Sequence, residues 1–209
     1  MPASSDSSSG HEREAVAAAA RMLARGGIVV YPTETLYALG ADAGNATALR
    51  RLVELKVRER GKPIAVLVGD KDMVRELAAE IPPAAEALMR RFWPGPLTLV
   101  LRARPAVSPV LTGGGDGIGV RLSSHPVATA LVRALGRALT TPSANPAGRR
   151  PPVRVDEARA YFGTHVDFYL DGGSLPGEPA STVVDLRAGL DIIREGAVAA
   201  HAVRAGLAV

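Results

Sequence analysis

Four cations crowd into the stretch Lys56-Val57-Arg58-Glu59-Arg60-Gly61-Lys62-Pro63, between an amphipathic segment and the apolar run Ile64 to Val68. Such a cluster is suited to holding an anion. Leu49, Leu52, Val53 and Val57 recur at helical spacing, and on that wheel Lys56 falls on the apolar stripe while Arg58 falls opposite. A continuous helix would split the pair. Gly61 and Pro63 are stop signals, so the helix is expected to end near Lys56 and the chain to turn extended, bringing Lys56 and Arg58 to one side. The same charges could equally be a solvated run favoured by a helix C-terminus.

Other polar groups gather where a strand pattern gives way to loop. Thr33, Glu34 and Thr35 follow the run Ile28 to Tyr31, and Ser143 and Asn145 follow the run that begins near Ala138. Arg121 stands among apolar neighbours in the run Ile118 to Leu122. In open α/β sheets ligands collect where strand ends and their loops converge. Each group has a plainer reading: an Asx-type turn at Ser143-Ala144-Asn145, an edge-strand charge at Arg121, and a rigid structural turn at Trp93-Pro94-Gly95-Pro96.

The elements that would position these groups alternate. Helices are expected from Glu12 to Ala24, from Asn45, from Asp70 to Leu77, from Pro83 to Phe92, from Pro126 to Leu135 and from Asp156 to Phe162, with an alanine-rich helix at the end. Strands are expected at Ile28–Tyr31, Ile64–Val68, Leu97–Leu101, Ile118–Leu122, Ala138–Thr141, Val166–Leu170, Ser181–Leu186 and, at an edge, Ile192–Arg194. Leu36 to Gly40 and Pro105 to Gly117 read as loops, and the Pro- and Arg-rich stretch through Val153 as a mobile or ligand-covering one. The expected fold class is α/β: a single domain from residue 12 to 209 with a twisted, mixed open sheet flanked by helices and a basic cleft, behind a disordered leader of residues 1–11.

The chain of 209 residues is 47% hydrophobic, with a mean hydropathy of +0.11, enough for one sizeable core. It has no cysteine, which excludes disulfides and thiolate metal sites, and its four histidines show no ligand spacing. No protein-bound metal is therefore expected. No apolar run approaches the ~20 residues needed to span a bilayer, so no membrane association and a cytoplasmic location are expected. The net charge of +4 and pI near 9.8 favour polyanionic partners weakly. The glycine cluster Gly113 to Gly119 fits neither a P-loop nor a dinucleotide fingerprint, so any phosphates must be held by side-chain cations and hydroxyls.

Taken together, Tyr31-Pro32-Thr33-Glu34-Thr35, Lys56-x-Arg58, Trp93-Pro94-Gly95-Pro96, Gly119-Val120-Arg121, Pro142-Ser143-Ala144-Asn145, Ser181-Thr182-Val183-Val184-Asp185 and Ile193-Arg194-Glu195-Gly196 resemble the YrdC-like family of threonylcarbamoyl-adenylate synthases over about Ala15 to Gly196. The resemblance implies an enzyme that joins L-threonine, bicarbonate and ATP, with Mg2+ arriving on the ATP, and releases pyrophosphate. It implies partner proteins that transfer the threonylcarbamoyl group onward, and tRNA or double-stranded RNA as a further partner. Lys56, Arg58, Ser143 and Asn145 match the family's catalytic signature. Arg58, Lys62, Ser143 and Arg194 match its ATP contacts, and Thr33, Thr35, Arg121, Thr141 and Ser181 its threonine side. The chain departs from the family's habit at Ala38, Glu59 and Leu67. The rival readings are a non-catalytic RNA-binding module, for which the 4% of aromatic residues offer few stacking platforms, and a paralogous carbamoyl- or nucleotide-transfer enzyme on the same fold.

Overall fold

The computed structural model describes residues 5–57, 61–177 and 179–207, with residues 5–9 as backbone. In chain order the elements are α1 (Ser5–Ala24), β1 (Val29–Pro32), β2 (Tyr37–Gly40), α2 (Ala46–Leu55), β3 (Val66–Leu67), α3 (Lys71–Leu77), α4 (Pro83–Phe92) and β4 (Leu97–Arg102). There follow α5 (Pro109–Thr112), β5 (Gly117–Arg121), α6 (Pro126–Leu135), β6 (Leu139–Thr140), α7 (Val155–Phe162), β7 (Phe168–Tyr169), β8 (Thr182–Asp185), β9 (Asp191–Arg194) and α8 (Ala200–Ala205).

The local signals that set these boundaries have identifiable physical agents. Asn45 caps α2, its side chain accepting from the N–H groups of Thr47 and Ala48 at 3.1 and 3.0 Å, and Leu49 and Leu52 bury the inner face. Asp70 caps α3 through the Met73 N–H at 2.9 Å. Gly136 ends α6 in the left-handed conformation, which a side chain would disfavour. The first helix starts at Ser5, earlier than Glu12 and inside the stretch read as a leader.

The strands form two sheets rather than one. Six are ordered β6-β3-β5-β4-β8-β9, with β3 parallel to β5 and β4 parallel to β8, and the remaining neighbours antiparallel. Three more are ordered β2-β1-β7. The second sheet exists because Leu36 to Gly40 is not a loop: Tyr37–Gly40 pairs antiparallel with β1 and is wholly buried. Its small residues hide a strand from propensity, and pairing with β1 on one side and a bridge to Ser143 on the other make it one. Isolated bridges Ala38↔Ser143 and Asp42↔Leu139 seam the two sheets, helped by Leu39 N–H to Pro142 O at 2.8 Å and Ala144 N–H to Tyr37 O at 2.8 Å.

Two further corrections concern the segments around the cleft. The stretch Pro105 to Gly117 contains the short helix α5, capped by Ser108 and closed at Gly113 with φ of 66°. The loop through Val153 is tied down. Asn145 Nδ2 donates to Arg149 O at 2.7 Å, the Tyr161 hydroxyl to Arg150 O at 3.1 Å, and Tyr37 N–H to Pro152 O at 3.1 Å.

Candidate active site

The site is a cleft of about 870 Å³ over one face of the larger sheet. Residues at i and i+2 of a strand face the same way, so Gly117, Gly119 and Arg121 of β5 all point into it. The two glycines keep the floor low. A Cβ on Gly119 would stand 3.1 Å from that of Ala65, and Thr98 and Val100 of β4 continue the floor sideways.

Arg121 is 4% exposed, and β5 lies between β3 and β4, so it is not an edge-strand charge. Its guanidinium is held along two edges. Nε donates to Gly95 O at 3.3 Å, and Nη2 lies 2.8 Å from Glu34 Oε1 as an ion pair without hydrogen-bond alignment. Nη1 bonds to no described residue. The turn at Trp93 to Pro96 is closed by Trp93 Nε1 on Leu97 O at 2.7 Å, and it presents Gly95 O to Arg121.

Glu34, to which sequence context alone assigns no role, backs Arg121. Its Oε2 accepts from the Ser123 hydroxyl. Burial pushes the carboxyl up, but the close Arg121 charge, with the hydrogen bond from Ser123, outweighs burial and holds it below the ordinary carboxylate range. A fixed anion behind Arg121 leaves the guanidinium oriented toward the cleft. The signal was a carboxylate between two threonines, which alone reads as turn polarity.

The two threonines divide their work. The Thr33 hydroxyl donates to Leu36 O at 2.7 Å and accepts from Leu36 N–H, which folds the tight β1–β2 turn. Its proton being committed there, Thr35 is the donor in the 3.2 Å contact between the two hydroxyls, and its lone pairs remain. On the opposite wall Arg194 donates from Nε and Nη2 to Ser181 O at 3.1 and 2.8 Å, and Nη2 reaches Ser181 Oγ at 3.2 Å. Ser181 Oγ in turn lies 3.1 Å from Thr98 Oγ1. Burial, and then the neighbouring Arg121 charge, pull Arg194 below the usual arginine value. Arg121 and Arg194 thus bring two guanidiniums to the lining of one cleft.

Lys56 is 4% exposed, yet its ammonium meets backbone. Nζ donates to Ser143 O at 2.5 Å and Asn145 O at 2.6 Å, while Lys56 O accepts from Ala147 N–H at 2.8 Å. One residue therefore clamps the whole Ser143 to Ala147 turn. Beyond it the chain does not run extended: Val57 has φ of 48°, unusual for a β-branched residue, and is 75% exposed. Arg58 lies outside the described residues. Lys62 is exposed and does not line the cleft.

The clamped turn carries hydroxyls to the cleft. Ser143 lines it, and its Oγ bonds to no described residue; the Thr141 hydroxyl, beside that of Tyr31, makes no aligned hydrogen bond. Asn145 does not line the cleft. Its Nδ2 holds its own loop, at Pro146 O (3.0 Å) and Arg149 O, and its Oδ1 is buried without a partner. Leu67 sits in register with Arg121 and is buried. Among the described residues Glu195 is the carboxylate lining the cleft, and no three His, Asp or Glu side chains group as metal ligands. The lining offers donors and cations for anions.

Three comparisons bear on what this cleft is. The family model of Sua5, YciO and YrdC, described as Telomere recombination, matches residues 21–196. A Thiobacillus denitrificans protein named threonylcarbamoyl-AMP synthase is 41% identical over 167 residues, covering 80% of this chain and 88% of that protein. A Pyrococcus abyssi protein of the same name is 39% identical over 80% of this chain, which spans 49% of its length. The crystal structure of P. abyssi Sua5 complexed with L-threonine superposes with a TM-score of 0.90 at 34% identity, covering 93% of this chain and 58% of that one. With the family model matching well over half of its length, this chain belongs to the Sua5/YciO/YrdC family.

Proposed function

We propose that this chain is a threonylcarbamoyl-AMP synthase, condensing L-threonine, bicarbonate and ATP to threonylcarbamoyl-AMP and pyrophosphate. The observation that carries the reading is the pair of neighbouring guanidiniums, Arg121 and Arg194, sharing one glycine-floored cleft with the hydroxyls of Thr35, Thr141, Ser143 and Ser181. The reactants are anions, and two unit charges 4 Å apart repel by about 4 kcal/mol at an effective dielectric of 20. Fixed cations remove that barrier without reorganisation.

The chemistry balances in two steps. The threonine nitrogen attacks the bicarbonate carbon, and loss of water leaves an N-linked carboxylate. One of its oxygens then attacks the α-phosphorus of ATP, the bond to the β-phosphate breaks, and pyrophosphate carries away the electron pair. Arg121 would take the threonine carboxylate on its Nη1 edge as a planar fork. Thr35 and Ser181 flank it, and Thr33 acts through the turn it folds. Ser143 and Arg194 address the phosphates from the two walls, with Arg58 and Lys62 from the cationic loop. Lys56 and Asn145 hold the turn that presents Ser143. Mg2+ would arrive on the triphosphate as part of the substrate, which suits a cleft whose described lining holds one carboxylate, Glu195. Much of the rate gain is positioning of successive encounters.

We further place this activity in tRNA modification in the cytoplasm, with separate proteins transferring the threonylcarbamoyl group. Among the described residues no helix is long and apolar enough to cross a membrane. The test is turnover: pyrophosphate release is expected to require both L-threonine and bicarbonate. L-serine, lacking one methyl group, should support it about 10–200-fold less well. Release indifferent to the amino acid would overturn the reading.

A further inference from the structure

The cleft extends past the groups assigned above. At its far end Arg187 lies down over the β5 backbone. A Cβ built on Gly117 would stand 3.1 Å from both Cδ and Cζ of Arg187, so the guanidinium occupies the space that any side chain at 117 would fill. Its nitrogens are all engaged by carboxylates. Nε donates to Asp185 Oδ1 and Oδ2 at 3.0 and 3.1 Å, Nη2 to Asp185 Oδ2 at 2.5 Å, and Nη1 to Asp116 Oδ1. Asp116 is braced from behind by Arg102 at 2.9 Å.

An arginine in this state is a poor phosphate ligand. Each of its three nitrogens already donates to a carboxylate, which leaves one N–H on Nη1 and one on Nη2, and its charge is balanced by Asp185 and Asp116. What it still offers is a flat, weakly hydrated face, pinned by two carboxylates and partly exposed in the cleft lining, the kind of surface on which aromatic rings stack. The surroundings agree. Val100, Val183 and Ile193 line the same end, and Ile193 is 57% exposed, one of two large apolar side chains so open among the described residues.

Spacing along β5 gives the third argument. Gly117 and Arg121 are four residues apart, roughly 13 Å at the strand rise. A nucleotide laid along β5 from a carboxylate on Arg121 would bring the group beyond its phosphates to the Gly117 end. We propose that Arg187 is a stacking platform for the purine base of the nucleotide, which lies between its exposed face and Ile193. This rests on the synthase reading for the identity of the nucleotide, but not for the existence of the platform.

The test is calorimetric binding of ATP, and of inorganic tripolyphosphate as a probe without a base, to the wild-type chain and to Arg187→Lys, Arg187→Ala and Ile193→Ser. The expected result is a loss of about tenfold or more in ATP affinity for both Arg187 variants, a few-fold loss for Ile193→Ser, and unchanged tripolyphosphate affinity. Arg187→Lys discriminates, because lysine can preserve the charge pairing with Asp185 but has no planar face. Wild-type ATP affinity in Arg187→Lys, or equal losses for ATP and tripolyphosphate, would overturn the platform. Ile193→Ser alters an exposed side chain and remains decisive should the Arg187 variants fail to fold. Wild-type protein that binds ATP but releases no pyrophosphate sinks the synthase reading alone. Wild-type protein that releases pyrophosphate while Arg187→Lys binds ATP normally sinks the platform alone.

Discussion

Arg121→Ala is expected to raise the threonine KM by about two to four orders of magnitude while changing the ATP KM far less. Two charge-assisted hydrogen bonds to a carboxylate are worth about 1.5–3 kcal/mol each, and every 1.4 kcal/mol is tenfold. The substitution does a second thing. It leaves Glu34, whose side chain is 15% exposed, as a buried charge without its partner, which costs about 3–5 kcal/mol of stability. A double variant separates the two effects. Arg121→Met with Glu34→Gln removes both charges, so it should recover most of the thermal stability and none of the threonine affinity. If the double variant bound threonine normally, Arg121 would be a structural ion-pair residue and no more.

Lys56→Met is expected to lower kcat by about 10²–10³, the range seen when one preorganised donor is removed from an active site. The route differs from direct charge neutralisation. Without the ammonium, Ser143 O and Asn145 O lose the donor that fixes the turn, and the Ser143 hydroxyl loses its place. Arginine should not rescue the variant, since its larger planar head does not fit the buried position that the compact ammonium fills between the two carbonyls. Amide hydrogen exchange distinguishes a clamp from a simple anion ligand. Faster exchange at Ala147, whose N–H bonds to Lys56 O, is expected in Lys56→Met. Unchanged exchange together with lost activity would return Lys56 to a purely electrostatic part.

Much of this could be read before any coordinates were in hand, and what could not has specific causes. Helices with a cap, a stop and an apolar stripe, such as α2 and α6, announce themselves locally, and the structure has them within a residue or two of where the signals lie. Arg121 stood out because a cation among strand residues needs a reason. The strand β2 did not, because Tyr37-Ala38-Leu39-Gly40 has no β-branched residue and is made a strand by pairing with β1 and the Ser143 turn. Lys56 was legible as important but not in its manner of acting. Its partners are backbone carbonyls 87 and 89 residues away, and carbonyls leave no trace in a pattern of side chains. Glu34 and Arg187 were passed over for one reason. A charge already balanced by a partner looks like surface polarity until the partner is seen, and Ser123, which holds Glu34, lies 89 residues downstream. The expectation that Lys56 and Arg58 share a face through extended backbone gave way to a left-handed turn at Val57, beside the described limit of the chain.

The central claim is that one cleft joins an amino acid held at Arg121 to a nucleotide held beyond Gly119 through a carbon taken from bicarbonate. The most direct measurement is mass spectrometry of the product formed from ATP, L-threonine and ¹³C-bicarbonate. The account predicts an adenylate that carries threonine and a single ¹³C, formed by the wild-type chain and lost in Arg121→Ala. An unlabelled aminoacyl-adenylate, or a labelled product without threonine, would contradict it.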